Sequence, residues 1–148
     1  MAMKQPLLVK AGETRGAAPL GIFGNKMTIK LSAADTDGHY AIIEDHTPPS
    51  GGPPLHRHNC EDESFYVLEG QYVFEVDGHK IYAGPGSSVF APQGSAHRFQ
   101  NLGTTAGRLL VVVQPAGLDE FFVDIDRARQ GARTRTRRRA PDLHQART

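Results

Sequence analysis

Glycine and proline break the first 115 residues into short runs, and this punctuation restricts the fold more than any other feature of the sequence. Met27 to Leu31 alternates apolar and polar side chains with a period of two. Tyr40 to Glu44, Phe65 to Leu68, Tyr72 to Val76, Ser88 to Ala91, His97 to Gln100 and Arg108 to Val113 follow as further short runs. Between them stand breaks such as Pro48 to Pro54, Glu69-Gly70-Gln71, Gly84-Pro85-Gly86 and Pro92-Gln93-Gly94. Short runs at such intervals predict an all-β sandwich or barrel. Asp77-Gly78 predicts a two-residue hairpin, because both turn positions need positive φ and these residue types accept it.

A chain of 148 residues is long enough for one domain with a real core. Its 39% hydrophobic and 22% charged content exclude disorder of the chain as a whole. A single cysteine, Cys60, excludes an internal disulfide framework and a cysteine-only zinc site. The longest aliphatic run, Leu109 to Val113, falls far short of the ~20 residues that span a bilayer. Met1 to Lys10 lacks the apolar stretch of a secretory signal, so the expected location is the cytoplasm.

The net charge of +1 conceals two opposed regions. From Arg127 onward there are eight arginines and one acid, Asp142, giving +7, and residues 1–126 carry −6. Leu118, Phe121, Phe122 and Ile125 recur at helical spacing and predict a short helix over 115–126, packed outside the sheets. Beyond it, apolar periodicity ends and like charges repel, which predicts a disordered basic tail over 127–148. The tail has no interleaved aromatics, so no stacking platform for nucleic acid is expected.

Two compact clusters carry the chemistry. The first runs from Pro54 to Glu63 and holds His56 and His58; the second runs from Pro92 to His97. Two histidines two apart on an extended segment project to one side. Glu63, Glu61 and Asp62 compete as the accompanying carboxylate. Parity favours Glu63, which shares a strand face with Phe65 and Val67. His97 could close the site from across a sheet. Three neutral imidazoles and a carboxylate suit one divalent first-row metal: Fe, Mn, Co, Ni, Cu or Zn. Four protein ligands leave coordination positions open for substrate.

Several other residues have plainer expectations. Arg57 points away from its flanking histidines. Cys60 is a small, half-buried residue. His39 and His79 are solvated beside turns. His46 is a candidate for the mouth of a site. Tyr72, Phe74 and Val76 share the inward face of their strand, and Tyr66, Phe90 and Phe99 join Tyr72 and Phe74 as aromatics that either line a pocket or pack the core.

The two clusters resemble the paired motifs of the cupin superfamily. His56-x-His58, four residues, Glu63, six residues and Gly70 match the first; Gly86, Pro92, Gly94, His97 and Asn101 match the second. Fifteen residues separate Gly70 from Gly86, as in compact members, and the opening glycine falls one place late, at Gly51. The flanks, including Phe65 to Gly70 and Pro115 to Phe122, resemble single-domain cupins related to quercetin 2,3-dioxygenases. The resemblance implies a double-stranded β-helix (jelly-roll) barrel over 1–126 and a metal bound by His56, His58, Glu63 and His97. It also implies a small-molecule substrate and a homodimer. The leading expectation is a metal-dependent oxidoreductase, a dioxygenase acting on a flavonol-like or other enolisable hydroxy-ketone, with Glu63 as catalytic proton acceptor. The alternatives are a non-oxidative isomerase, decarboxylase or lyase, and a non-catalytic small-molecule-binding cupin.

Overall fold

The computed structural model describes residues 4–16 and 18–146, with side chains as far as residue 132. Ten strands precede one helix: β1 (Leu20–Ile22), β2 (Asn25–Leu31), β3 (Ala41–Thr47), β4 (His56–Arg57), β5 (Asp62–Glu69), β6 (Tyr72–Val76), β7 (His79–Ala83), β8 (Ser88–Ala91), β9 (Ala96–Asn101), β10 (Gly107–Gln114) and α1 (Leu118–Ala146). Seven strands fall on the runs read from the sequence. The hairpin at Asp77-Gly78 forms with both residues at positive φ, 47° and 82°, and pairs Val76 with His79.

The strands form two antiparallel sheets, a jelly-roll barrel. One has six strands in the order β1-β2-β3-β10-β5-β8, and the other four in the order β4-β9-β6-β7. Alternation decides what lies between them. From the larger sheet, Ile43, Phe65, Val67, Leu109 and Val111 point inward and are buried. From the smaller, Tyr72, Phe74, Val76 and Phe99 meet them. The Phe65 ring lies 5.2 Å from Phe74 and 5.7 Å from Phe99, offset contacts that favour aromatic packing.

A buried polar chain crosses this core. The Tyr72 hydroxyl donates to Thr47 Oγ1 (2.9 Å), Thr47 Oγ1 donates to Asp45 Oδ1 (2.8 Å), and Asn25 Nδ2 donates to both Asp45 oxygens (3.1 and 3.2 Å). Burial pushes the Tyr72 hydroxyl up to about 12.

Helix α1 starts close to the expected place. Asp119 fixes its first turn by accepting from the Gly117 and Ala33 amides at 3.2 and 2.9 Å, where a negative charge also suits the helix dipole. Leu118 is buried in the core, and Phe122, Val123 and Ile125 pack against it. Phe121 departs from the expected buried stripe and is 53% exposed. The helix also continues past Asp126, where the sequence predicts a disordered basic tail. Alanine, arginine and glutamine favour helix, Gln130 Nε2 donates one turn back to Asp126 (3.0 Å), and Arg129 Nη1 donates to Gly21 O (2.7 Å). Arg133 to Arg139, the most basic stretch, lies outside the residues whose side chains are described, as do Arg147 and Thr148.

Candidate metal centre

His56, His58, Glu63 and His97 converge, with one potential ligand atom from each within 4.8 Å of all the others. The strand pattern brings them there. β4 pairs with β9 so that His56 lies directly opposite His97. Glu63 enters from the other sheet near the start of β5, on the inward parity shared with Phe65 and Val67, and is 5% exposed. Glu61 and Asp62 stay at the rim, where Asp62 accepts from the Gln93 amide at 2.7 Å. Gly94 N donates to His58 O (2.9 Å) and Gln93 Nε2 to Asn59 O (2.6 Å), so the loop after β4 is tied to the turn before β9.

Gly52 makes that arrangement possible. Its φ is +152°, and a Cβ there would lie 1.9 Å from the Phe99 carbonyl oxygen. Only glycine lets the strap leading to Pro53, Pro54 and His56 run this close to β9.

Ring orientation is set by backbone oxygens. His56 Nδ1 lies 2.8 Å from Pro54 O and His97 Nδ1 3.2 Å from Ser95 O. Each of those contacts leaves Nε2 as the nitrogen facing the cluster, the arrangement in which an outer partner fixes a ligating histidine. Burial, first among its causes, holds the His56 imidazolium below the usual histidine range, which favours the neutral ring that a metal requires. His97 Nε2 lies 2.9 Å from Glu63 Oε2, and His58 Nε2 3.6 Å from Glu63 Oε1. His58 Nε2 is buried and has no hydrogen-bond partner among the described residues. A buried nitrogen left without a partner beside a buried carboxylate is costly, and a cation among the four would satisfy both. The donor set therefore fits one divalent first-row metal ion.

The cluster lies at one end of a cavity of about 340 Å³ with largely apolar walls. Phe65, Phe99, Ile43 and Val111 come from the sheets, Pro53 and Pro54 from the strap, and Phe121, Phe122 and Ile125 from α1. Of the aromatics considered from sequence, only Phe99 lines it; Tyr72 and Phe74 are core, and Tyr66 and Phe90 are exposed. Arg57 points away from the cluster, donating to Gly94 O, although it also borders the cavity. Cys60 is exposed rather than half-buried. His46 does not line this cavity; its Nε2 lies 3.1 Å from Glu44 Oε1.

The sequence reading missed two polar residues of the cavity, Asn25 and Asp45, which are 2% and 1% exposed. Parity could have found Asp45, since it alternates with Ala41 and Ile43 on the inward face of β3. Burial, aided by the charge of Glu63 and opposed by the bonds from Thr47 and Asn25, pushes the Asp45 carboxyl up to about 6.

A jelly-roll barrel with three histidines and a glutamate gathered between its sheets defines a class of small β-barrel with a candidate metal centre. The family described as Cupin_2, cupin domain, matches residues 44–113. The matched stretch holds all four candidate ligands, and over it the chain is similar to cupin proteins. It is 28% identical over 94 residues to a quercetin 2,3-dioxygenase of Bacillus subtilis, covering 64% of this chain and 28% of that protein. It is 33% identical over 66 residues to an oxalate-binding protein of Thermotoga maritima, covering 45% and 54%. The match thus spans less than two thirds of either relative. Among solved structures, one described as a predicted oxalate decarboxylase from Thermotoga maritima aligns with a TM-score of 0.65 and 25% identity, over 74% of this chain and 99% of that one. Among the described residues no helix is long and apolar enough to cross a membrane.

Proposed function

We propose that His56, His58, Glu63 and His97 hold one divalent transition metal, and that the protein is a dioxygenase acting on a flavonol-like or other enolisable hydroxy-ketone. The observation that carries this reading is the four-donor cluster, with its unpartnered His58 nitrogen, at the end of an apolar cavity. The similarity to a quercetin 2,3-dioxygenase supports it. When bound, such a metal supplies Lewis acidity to the adjacent oxygens of a chelating substrate and a path for electrons between substrate and O2. Both atoms of O2 enter the cleaved product, so no further reductant is needed.

The protein's own groups supply the rest. Glu63 Oε1 or Oε2 takes the proton from the substrate hydroxyl, since a buried carboxylate beside the chelating oxygens is within reach of it. Pro54 O and Ser95 O hold the imidazole rings in place. The aromatic walls exclude water from the anion that forms.

A second reading, a non-oxidative or purely binding cupin for a small oxygenated acid, is favoured by the similarity to an oxalate-binding protein. The apolar walls argue against it, because a small dianion would find Arg57 there, already engaged with Gly94 O.

Aerobic incubation of the Fe, Mn, Co and Ni forms with quercetin, following loss of flavonol absorbance, tests the first reading. Turnover by at least one form is expected; retention of substrate by all four overturns it. Turnover that persists without O2 supports the second reading instead.

A further inference from the structure

The cavity has a second polar end. Three rows of inward residues cross β3, β10 and β5: Ala41–Val113–Glu63, then Ile43–Val111–Phe65, then Asp45–Leu109–Val67. Glu63 stands in the first row and Asp45 in the third, with the apolar middle row between them. Asn25, on β2, donates to Asp45 from the neighbouring strand. Both residues border the same cavity as the histidine cluster.

The bonding of this pair is incomplete. Asp45 accepts from Asn25 Nδ2 and Thr47 Oγ1, but Asn25 Oδ1 is buried without a hydrogen-bond partner among the described residues. An orphaned amide oxygen this deeply buried has a desolvation cost that a donor from a ligand in the cavity would offset. The carboxylate of Asp45 retains further acceptor capacity as well. What the pair lacks is a hydroxyl or N–H donor.

We propose that Asn25 and Asp45 form a distal subsite that selects elongated ligands carrying a hydrogen-bond-donating hydroxyl at the end opposite their metal-chelating group. The inference rests on the reading of the cavity as a substrate pocket and deepens it by naming the substrate class: apolar in the middle and polar at both ends. A polar pair built to receive a donor rejects the analogue that lacks one, because its buried acceptor then stays unpaired.

The test uses the full-length, metal-loaded protein and the ratio of two affinities. The parent flavonol, which has only the chelating hydroxy-ketone, is titrated against its 7-hydroxy and 4′-hydroxy derivatives. The wild type should bind the better hydroxylated derivative at least about fivefold more tightly than the parent. Asp45→Asn and, independently, Asn25→Ser should bring that ratio close to one, with folding checked by circular dichroism. A wild-type ratio near one, or a ratio unchanged in the folded variants, overturns the subsite. If no flavonol binds at all, the flavonol reading fails by itself. The subsite is then judged by p-cresol against toluene, followed at the side-chain amide resonances of Asn25. Shifts with p-cresol alone support it; equal shifts, or none, overturn it.

Discussion

The two walls of the cavity are held in different ways. On the barrel side, each candidate ligand sits on a strand or in a loop braced by backbone hydrogen bonds: His56 opposite His97 in the ladder, His58 O on Gly94 N, and Glu63 inside a paired strand. On the helix side, Phe121, Phe122 and Ile125 ride on α1, whose polar ties to β1 are Asp126 on the Gly21 amide and Arg129 on the Gly21 carbonyl. The barrel side is built to fix positions; the helix side covers the cavity, and its ties to Gly21 are exposed to solvent. Local stability follows such differences.

The sharpest way to break this contrast is at the barrel side. His97→Ala should lower bound metal by more than about tenfold, since it removes a ligand and leaves Glu63 buried without its closest partner. Elemental analysis of the purified variant reads this out, and full metal retention would refute the centre. Gly52→Ala should come next. The added Cβ cannot share space with Phe99 O, so the strap must move, at a cost of about 3 kcal/mol. Chemical denaturation measures the loss, and metal affinity should fall with it.

Asp45 gives an effect of at most similar size with a defined sign. Its carboxyl is raised in the fold, so between pH ~4 and ~6 the folded state binds more protons than the unfolded one. Stability contributed by Asp45 is therefore full below the unfolded value and falls as pH rises through that window, by about 3 kcal/mol at most. His56, lowered by burial, works in the opposite direction. The difference between wild type and Asp45→Asn across a pH series of urea melts isolates the aspartate; parallel curves would contradict the assignment.

The helix side should respond differently. Phe121→Ala, at a half-exposed position, should change stability by less than about 1 kcal/mol while raising KM severalfold and leaving metal content intact. Arg129→Ala should have the smallest effect, below about 1 kcal/mol, detected as faster amide exchange in α1. Metal loss in either variant would show that the two sides are not separable.

Much of the barrel was legible because a period of two is a strong signal where one face is buried. Ala41, Ile43, Phe65, Val67, Tyr72 and Phe74 fall on the inward parity with little ambiguity. The strands that escaped notice carry too little pattern. β1 buries Leu20 and Ile22 but has only three residues, too few to show a period; β4 has two residues; and four of the five residues of β7 are exposed, which leaves it no hydrophobic face to read. The metal-ligand candidates were legible for the same reason of parity, combined with an uncommon density of imidazoles. Of the distal pair, Asp45 stands on the inward parity of β3 but reads as a surface type, and Asn25, at the start of β2, has no such signal until pairing places it beside Asp45. The extent of α1 also escaped, since past Asp126 it carries no apolar stripe; helix-favouring residue types and contacts with Gly21, more than a hundred positions earlier in the chain, stand there instead.

Glu63 belongs to the six-stranded sheet, whereas His56 and His97 belong to the four-stranded one. An ion gripped by all of them would act as a rivet between the two layers, so its chemical potential would bear on how firmly the sandwich stays shut. Resistance to unfolding should then climb by about 1.4 kcal/mol for every decade of free ion above its dissociation constant. Metal supply would thus set the protein's lifetime in its surroundings as well as its chemistry.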